Sequence, residues 1–115
     1  MDLRRAAAFV IASDRLGHGD DELGELLMKN FIYSLARAEA TPRTVGFMNG
    51  GVRLACEGSP ALEDIRLLAE AGVKIRSCGT CLDFLGLRDK LAVGEVGTMP
   101  DTAALLAAGD AVVIG

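Results

Sequence analysis

The sequence predicts a single α/β domain, with a mainly parallel five-stranded sheet flanked by helices. Short apolar runs rich in Val and Ile alternate with longer stretches of helical periodicity. The strand-like runs are continuous rather than alternating, the pattern of strands covered on both faces. Gly, Pro, Asp and Ser fall between the runs as turn signals. At 115 residues the chain reads as one domain spanning 1–115, large enough to bury a core without disulfides or metal.

The first strand is Ala8-Phe-Val-Ile-Ala12, bounded by Ser13-Asp14. Arg15 to Asp21 forms a glycine-bearing loop, in which Asp20 or Asp21 caps the helix that follows. From Leu23 to about Ala38 apolar residues recur at Leu23, Leu27, Phe31 and Leu35, flanked by Met28 and Ile32. That spacing predicts a helix with a wide buried stripe, stopped by Thr41-Pro42. Thr44–Met48 is the second strand and runs into Asn49-Gly50-Gly51 and a loop carrying Cys56. Ser59-Pro60 marks a helix start, with Leu62, Ile65, Leu68 and Ala69 as its inner face and Gly72 ending it. Val73–Arg76 is the third strand, and Thr80 to about Leu85 a short helix. Ala92–Val96 is the fourth strand, Pro100–Ala108 an Ala/Leu helix closed by Gly109, and Ala111–Ile114 the last strand.

Composition excludes several classes of function. The net charge is −4 and no Lys/Arg stripe is present, which argues against a nucleic-acid or anionic-membrane surface. The longest apolar run, Ala6–Ala12, is far below the ~20 residues of a spanning helix. Met1-Asp-Leu-Arg-Arg before it imitates a secretory signal, but Asp2 sits where such a signal is basic. Arg4-Arg5 and Arg88-Asp-Lys90 read as solvated charge. Three cysteines without framework spacing point to a reduced, cytoplasmic setting.

Alternating strands and helices imply right-handed crossovers, so the loops leaving the carboxyl ends of the strands share one edge, where ligand sites favour to lie. His18, Asn49-Gly50-Gly51, Cys56 and Cys78-Gly79-Thr80-Cys81 all fall there. Cys-Gly-Thr-Cys has the spacing of a redox motif and of half a zinc site. A thiol at the start of a helix faces unpaired N–H groups that favour thiolate. The alternative is a pair of small buried hydrophobes. Zinc requires two more ligands, for which only Cys56 and His18 are on offer. Cys56 reads first as a packed thiol. His18, between glycines, is a solvated loop residue or a group that polarises a thiol or holds an anion. Gly17-His-Gly19 lacks the third glycine of a dinucleotide fingerprint and precedes three acids, so nucleotide binding is poorly supported.

Taken together, Leu16–Lys29, Phe47–Val52, Cys56–Pro60, Cys78–Leu87 and Val93–Val96 resemble the DsrE/DsrF-like family, and within it the carboxyl-terminal domain of YedF-type proteins associated with selenium metabolism. The resemblance implies a three-layer α/β sandwich, assembly as a homo-oligomer, and relatives that carry sulfur as a cysteine persulfide in relay pathways. In those carriers the active cysteine precedes a helix whose glycine lies eight residues on. Cys78 and Gly86 match that spacing, so the resemblance gives Cys78 the nucleophile role, with Cys81 an additional thiol. His18, Asn49, Gly50, Cys56, Gly79 and Thr80 form the accessory set around them. No metal or organic cofactor is implied. The expected partners are sulfur or selenium donor and acceptor proteins. A TusA-like protein is a candidate among them; YedF-type proteins usually carry an amino-terminal TusA-like domain with a Cys-Pro motif, and these residues depart from that pattern in having no such motif. Two other functions remain open: thiol-disulfide exchange through the cysteine pair, and a noncatalytic oligomeric binding module.

Overall fold

The structure, a computed structural model, describes residues 8–115; Arg4-Arg5 and the start of the first apolar run lie outside the described residues. Five strands, β1 (Ala8–Ile11), β2 (Thr44–Phe47), β3 (Lys74–Cys78), β4 (Glu95–Gly97) and β5 (Ala111–Ile114), form one sheet in the order β4-β3-β2-β1-β5. Every pairing is parallel, with Phe9 opposite Val45, Val45 opposite Ile75, and Cys78 opposite Gly97. The helices are α1 (Asp21–Ala36), α2 (Leu62–Glu70), α3 (Gly79–Phe84) and α4 (Met99–Ala107). The predicted single α/β domain with a parallel sheet is what the chain forms.

Strand order dictates where the helices go. From β1 to β4 each crossover steps the same way, so right-handedness lays α1, α2 and α3 over one face. The return from β4 to β5 reverses direction, which sends α4 to the other. Phe9, Ile11, Val45, Phe47 and Ile75 accordingly pack with Met28, Ile32 and Leu35 of α1, Ile65 and Leu68 of α2, and Leu82 of α3. On the opposite face Val10, Thr44, Gly46 and Arg76 meet Thr102 and Leu105 of α4. No residue of α4 is fully buried.

Several boundaries and faces differ from expectation. Helix α1 is capped by Asp20, whose carboxylate accepts from Leu23 N–H at 2.9 Å. Its buried face is Gly24, Met28, Ile32 and Leu35, whereas Leu23 and Leu27 are exposed. The helix is apolar over more than half its circumference, so periodicity left the inward direction ambiguous. Helix α2 begins at Leu62, not Pro60; Ser59 Oγ instead takes the Ala61 N–H at 3.1 Å in the turn before it. Ala69 faces outward. Asn49–Ala55, read as loop, winds as a 3-10 helix. β4 lies later than expected because Gly94 adopts φ +79 and so turns the chain before the strand starts.

Candidate functional site

Cys78 ends β3 and caps α3. Its side chain makes no capping hydrogen bond, and α3 is only six residues long. The expected cradle of helix amides around this sulfur is therefore not formed. Cys78 is 8% exposed and belongs to the hydrophobic core. It also borders a narrow crevice of about 20 Å³ between sheet and α4, with Gly46, Gly97 and Thr98 among its walls.

Cys81, one turn on, is only partly buried. The main-chain N–H of Asn49 donates to its Sγ at 3.1 Å. Burial pushes the Cys81 thiol up, and the neighbouring Cys78 pushes it further; the Asn49 amide acts in the opposite direction. The two sulfurs thus sit differently, Cys78 in the core and Cys81 partly open with a main-chain amide on its sulfur.

Local backbone chemistry sets this arrangement. Asn49 has φ +49, the left-handed region that Asn tolerates better than most residues. Gly51 follows so close to β1 that a Cβ there would overlap the Ile11 carbonyl oxygen. Met48 N–H donates to that same oxygen at 3.0 Å. The Met48–Gly51 turn is therefore pressed against the end of β1, aiming one amide at α3. Helix α3 is closed at its far end by Gly86 at φ +69. The Gly86 and Leu87 N–H groups return to Asp83 and Leu82 carbonyls at 3.1 and 2.7 Å, the Schellman pattern. The eight-residue spacing from Cys78 to Gly86 is thus the length of this short helix and its stop.

Arg88, read from sequence as solvated charge, instead clasps α3. It forms a bidentate pair with Asp83, at 2.6 and 3.0 Å, and donates to the Gly79 carbonyl at 3.4 Å. The guanidinium holds the Asp83 carboxyl below the usual carboxylate range. A Cβ on Gly79 would lie 3.0 Å from both Arg88 Nη2 and Val96 Cγ1, so Gly79 provides clearance for the clasp. Its spacing from Asp83, too irregular for a helical pair, concealed it in the sequence.

The other accessory residues separate from the pair. Thr80 and His18 are exposed, and no hydrogen bond or ion pair among the described residues joins His18 to either cysteine. Gly50 sits beside Asp14, next to the amide-bearing turn. Cys56 is buried and donates to the Val52 carbonyl at 3.2 Å. Burial pushes its thiol up, which suits a packed, inert group. It backs a separate cavity of about 330 Å³ that Asp14, Lys29 and Arg53 also line, a juxtaposition with no signal in the sequence. Among the described residues no cluster of His, Cys, Asp or Glu is placed to hold a metal ion, and no helix is long and apolar enough to cross a membrane.

The sequence model of the DsrE/DsrF-like family matches residues 30–114. No curated protein matches the chain. Among solved structures, the ychN protein of E. coli superposes with a TM-score of 0.66 at 18% identity, covering 92% of this chain and 97% of that one. MTH1491 of Methanobacterium thermoautotrophicum, a protein of unknown function, gives 0.66 at 22% identity, covering 92% and 96%. BT1422 of Bacteroides thetaiotaomicron, also of unknown function, gives 0.58 at 14%, covering 94% and 95%. At such identities these likenesses establish the fold.

Proposed function

The chain belongs to the DsrE/DsrF-like family, which is associated with sulfur relay, and from that premise we propose that it is a small sulfur carrier acting through a cysteine persulfide on Cys78. The observation that supports this most directly is the pair of thiols at the carboxyl edge of the sheet, Cys78 at the end of β3 and Cys81 one turn on with the Asn49 N–H on its sulfur. The Cys78 thiolate attacks the outer sulfur of a donor persulfide. The donor S–S bond breaks, its thiolate leaves with the electron pair, and Cys78–S–SH forms. An acceptor thiolate repeats the same displacement and takes the sulfur away. Neither step changes the total oxidation state, and neither requires a metal or organic cofactor.

The wider reading follows the YedF branch. Selenium is the alternative cargo, a TusA-like protein a candidate partner, and the cytoplasm, where thiols stay reduced, the setting that suits three free cysteines. Phe84, 89% exposed and three residues past Cys81, supports docking of a donor or acceptor protein at this edge. Met99, Leu106, Val112 and Val113, all exposed on α4 and β5, support assembly with further copies of the chain.

Intact mass after incubation with inorganic polysulfide tests the proposal. A gain of one sulfur is expected, and it disappears when Cys78 and Cys81 are both replaced by Ser. No gain, or one that survives the double substitution, rejects it. A loss of two hydrogens instead would favour thiol-disulfide exchange through the pair. Iodoacetamide labelling of Cys78 no faster than that of free cysteine would favour an inert binding module.

A further inference from the structure

We propose that sulfane sulfur enters and leaves through Cys81 and is stored on Cys78, with the main-chain N–H of Asn49 positioning Cys81 Sγ for the exchange. This rests on the persulfide reading above and divides its labour between two sulfurs. Cys78 lies in the core and is 8% exposed; Cys81 is the more accessible of the two. A bulky donor reaches Cys81 first: Cys81 loses its proton to water, its thiolate attacks the donor's outer sulfur, the donor S–S bond breaks and the donor thiolate leaves, whereas the crevice beside Cys78, at about 20 Å³, has room for roughly one water-sized atom. A terminal sulfur held there is shielded from water and stray thiols. The internal step balances without any co-reactant. The thiolate of Cys78 attacks the outer sulfur of Cys81–S–SH, the Cys81 S–S bond breaks, and Cys81 leaves as a thiolate while Cys78–S–SH forms. Unloading is the reverse.

As sulfur passes inward negative charge develops on Cys81 Sγ, and in the return step Cys81 is the attacking thiolate; in both directions that anion is the atom that receives the Asn49 N–H at 3.1 Å. A donor aimed where charge develops lowers the barrier of the step that creates it. The turn is also built to hold that aim. Asn49 sits in the left-handed region, and Gly51 is pinned against the Ile11 carbonyl, so the amide does not swing away at no cost.

Peptide mapping of protein loaded with inorganic polysulfide distinguishes the roles. The unsubstituted chain is expected to carry sulfur on both cysteines, Cys78→Ser to trap it on Cys81, and Cys81→Ser to load Cys78 about tenfold more slowly. Equal loading rates in Cys81→Ser and the unsubstituted chain would overturn the relay but leave the carrier intact. No sulfur on any variant would overturn both. A second measurement needs no transfer chemistry. In an NMR pH titration the Asn49 amide proton is expected to move downfield as Cys81 ionises, and to stay still in Cys81→Ala. An amide that moves identically in both proteins, or in neither, removes Asn49 from the proposal.

Discussion

β1 and β5 are adjacent, parallel and almost alike in sequence, Ala-Phe-Val-Ile against Ala-Val-Val-Ile, yet every residue of β1 is buried and none of β5 is. The difference is position. β1 lies inside the sheet beneath α1, whereas β5 forms an edge beside α4. The same contrast divides the two faces. Three forward crossovers crowd α1, α2 and α3 onto one side, and the single reversal leaves α4 alone on the other. An apolar tetrapeptide therefore specifies a strand without specifying how well that strand is covered.

The sharpest way to break this comparison is to truncate matched side chains. Ile65 and Leu35 are fully buried on the crowded face, so Ile65→Ala and Leu35→Ala are expected to cost about 2–5 kcal/mol each in urea unfolding. Leu106 on α4 is 42% exposed, and Leu106→Ala in dilute, monomeric protein is expected to stay within about 0.5 kcal/mol. Equal losses would mean that the second face is as tightly packed as the first. Leu106→Glu sharpens the point: sedimentation should shift toward monomer while the dilute protein melts unchanged, if copies meet on this face.

Much of the molecule was legible before any coordinates. The order of strands and helices, an acidic cap at Asp20 or Asp21, a short helix ending near Leu85 and the convergence of Asn49 and Cys81 on one sheet edge follow from period, turn chemistry and the parallel-sheet rule, whereas Gly86 was picked out by the family spacing. Other features lay beyond those signals. The buried stripe of α1 was read partly one residue off, because Leu23, Leu26 and Leu27 are apolar yet exposed. The sulfur that receives a backbone donor is Cys81, because that donor comes from Asn49, 32 residues earlier, rather than from α3. An Asn-Gly-Gly run after a strand is a signal for a left-handed turn, but nothing in it says which sulfur the amide will meet. The Arg88 clasp likewise depends on a three-dimensional return of the chain.

A smaller effect separates the faces through a single methyl group. Gly51 is pressed against β1 on the crowded side, where a Cβ would overlap the Ile11 carbonyl oxygen. Gly51→Ala must shift backbone, and about 1–3 kcal/mol of stability should be lost. Gly46, in β2 and facing α4, has no atom within 4 Å of its absent Cβ. Gly46→Ala should be neutral or gain up to about 1 kcal/mol, since Gly is the poorer strand residue. Thermal melts of the two proteins side by side decide it; comparable losses would mean that α4 seals its face of the sheet.

The smallest effect is a pH dependence, and it separates core from edge. Burial is the leading reason that both Cys56 and Cys81 ionise less readily than an ordinary thiol. In the unfolded chain they lose their protons near the ordinary cysteine value of ~8.5; in the fold they keep them to higher pH. Above that value the unfolded state binds fewer protons, so rising pH favours unfolding. Their contribution is complete below the unfolded value and is lost as pH climbs through the folded ones. Melting temperature should therefore hold steady from neutral pH to about 8 and fall beyond it. Cys56→Ala removes one titrating thiol from the core, so its profile should fall less steeply at high pH, whatever its offset at neutral pH. Cys81→Ala should flatten the same limb, and because Cys81 is the more open residue, the unsubstituted chain should alkylate at Cys81 while folded as pH rises. A profile equally steep in both variants and the unsubstituted chain would show that neither thiol is held neutral by the fold.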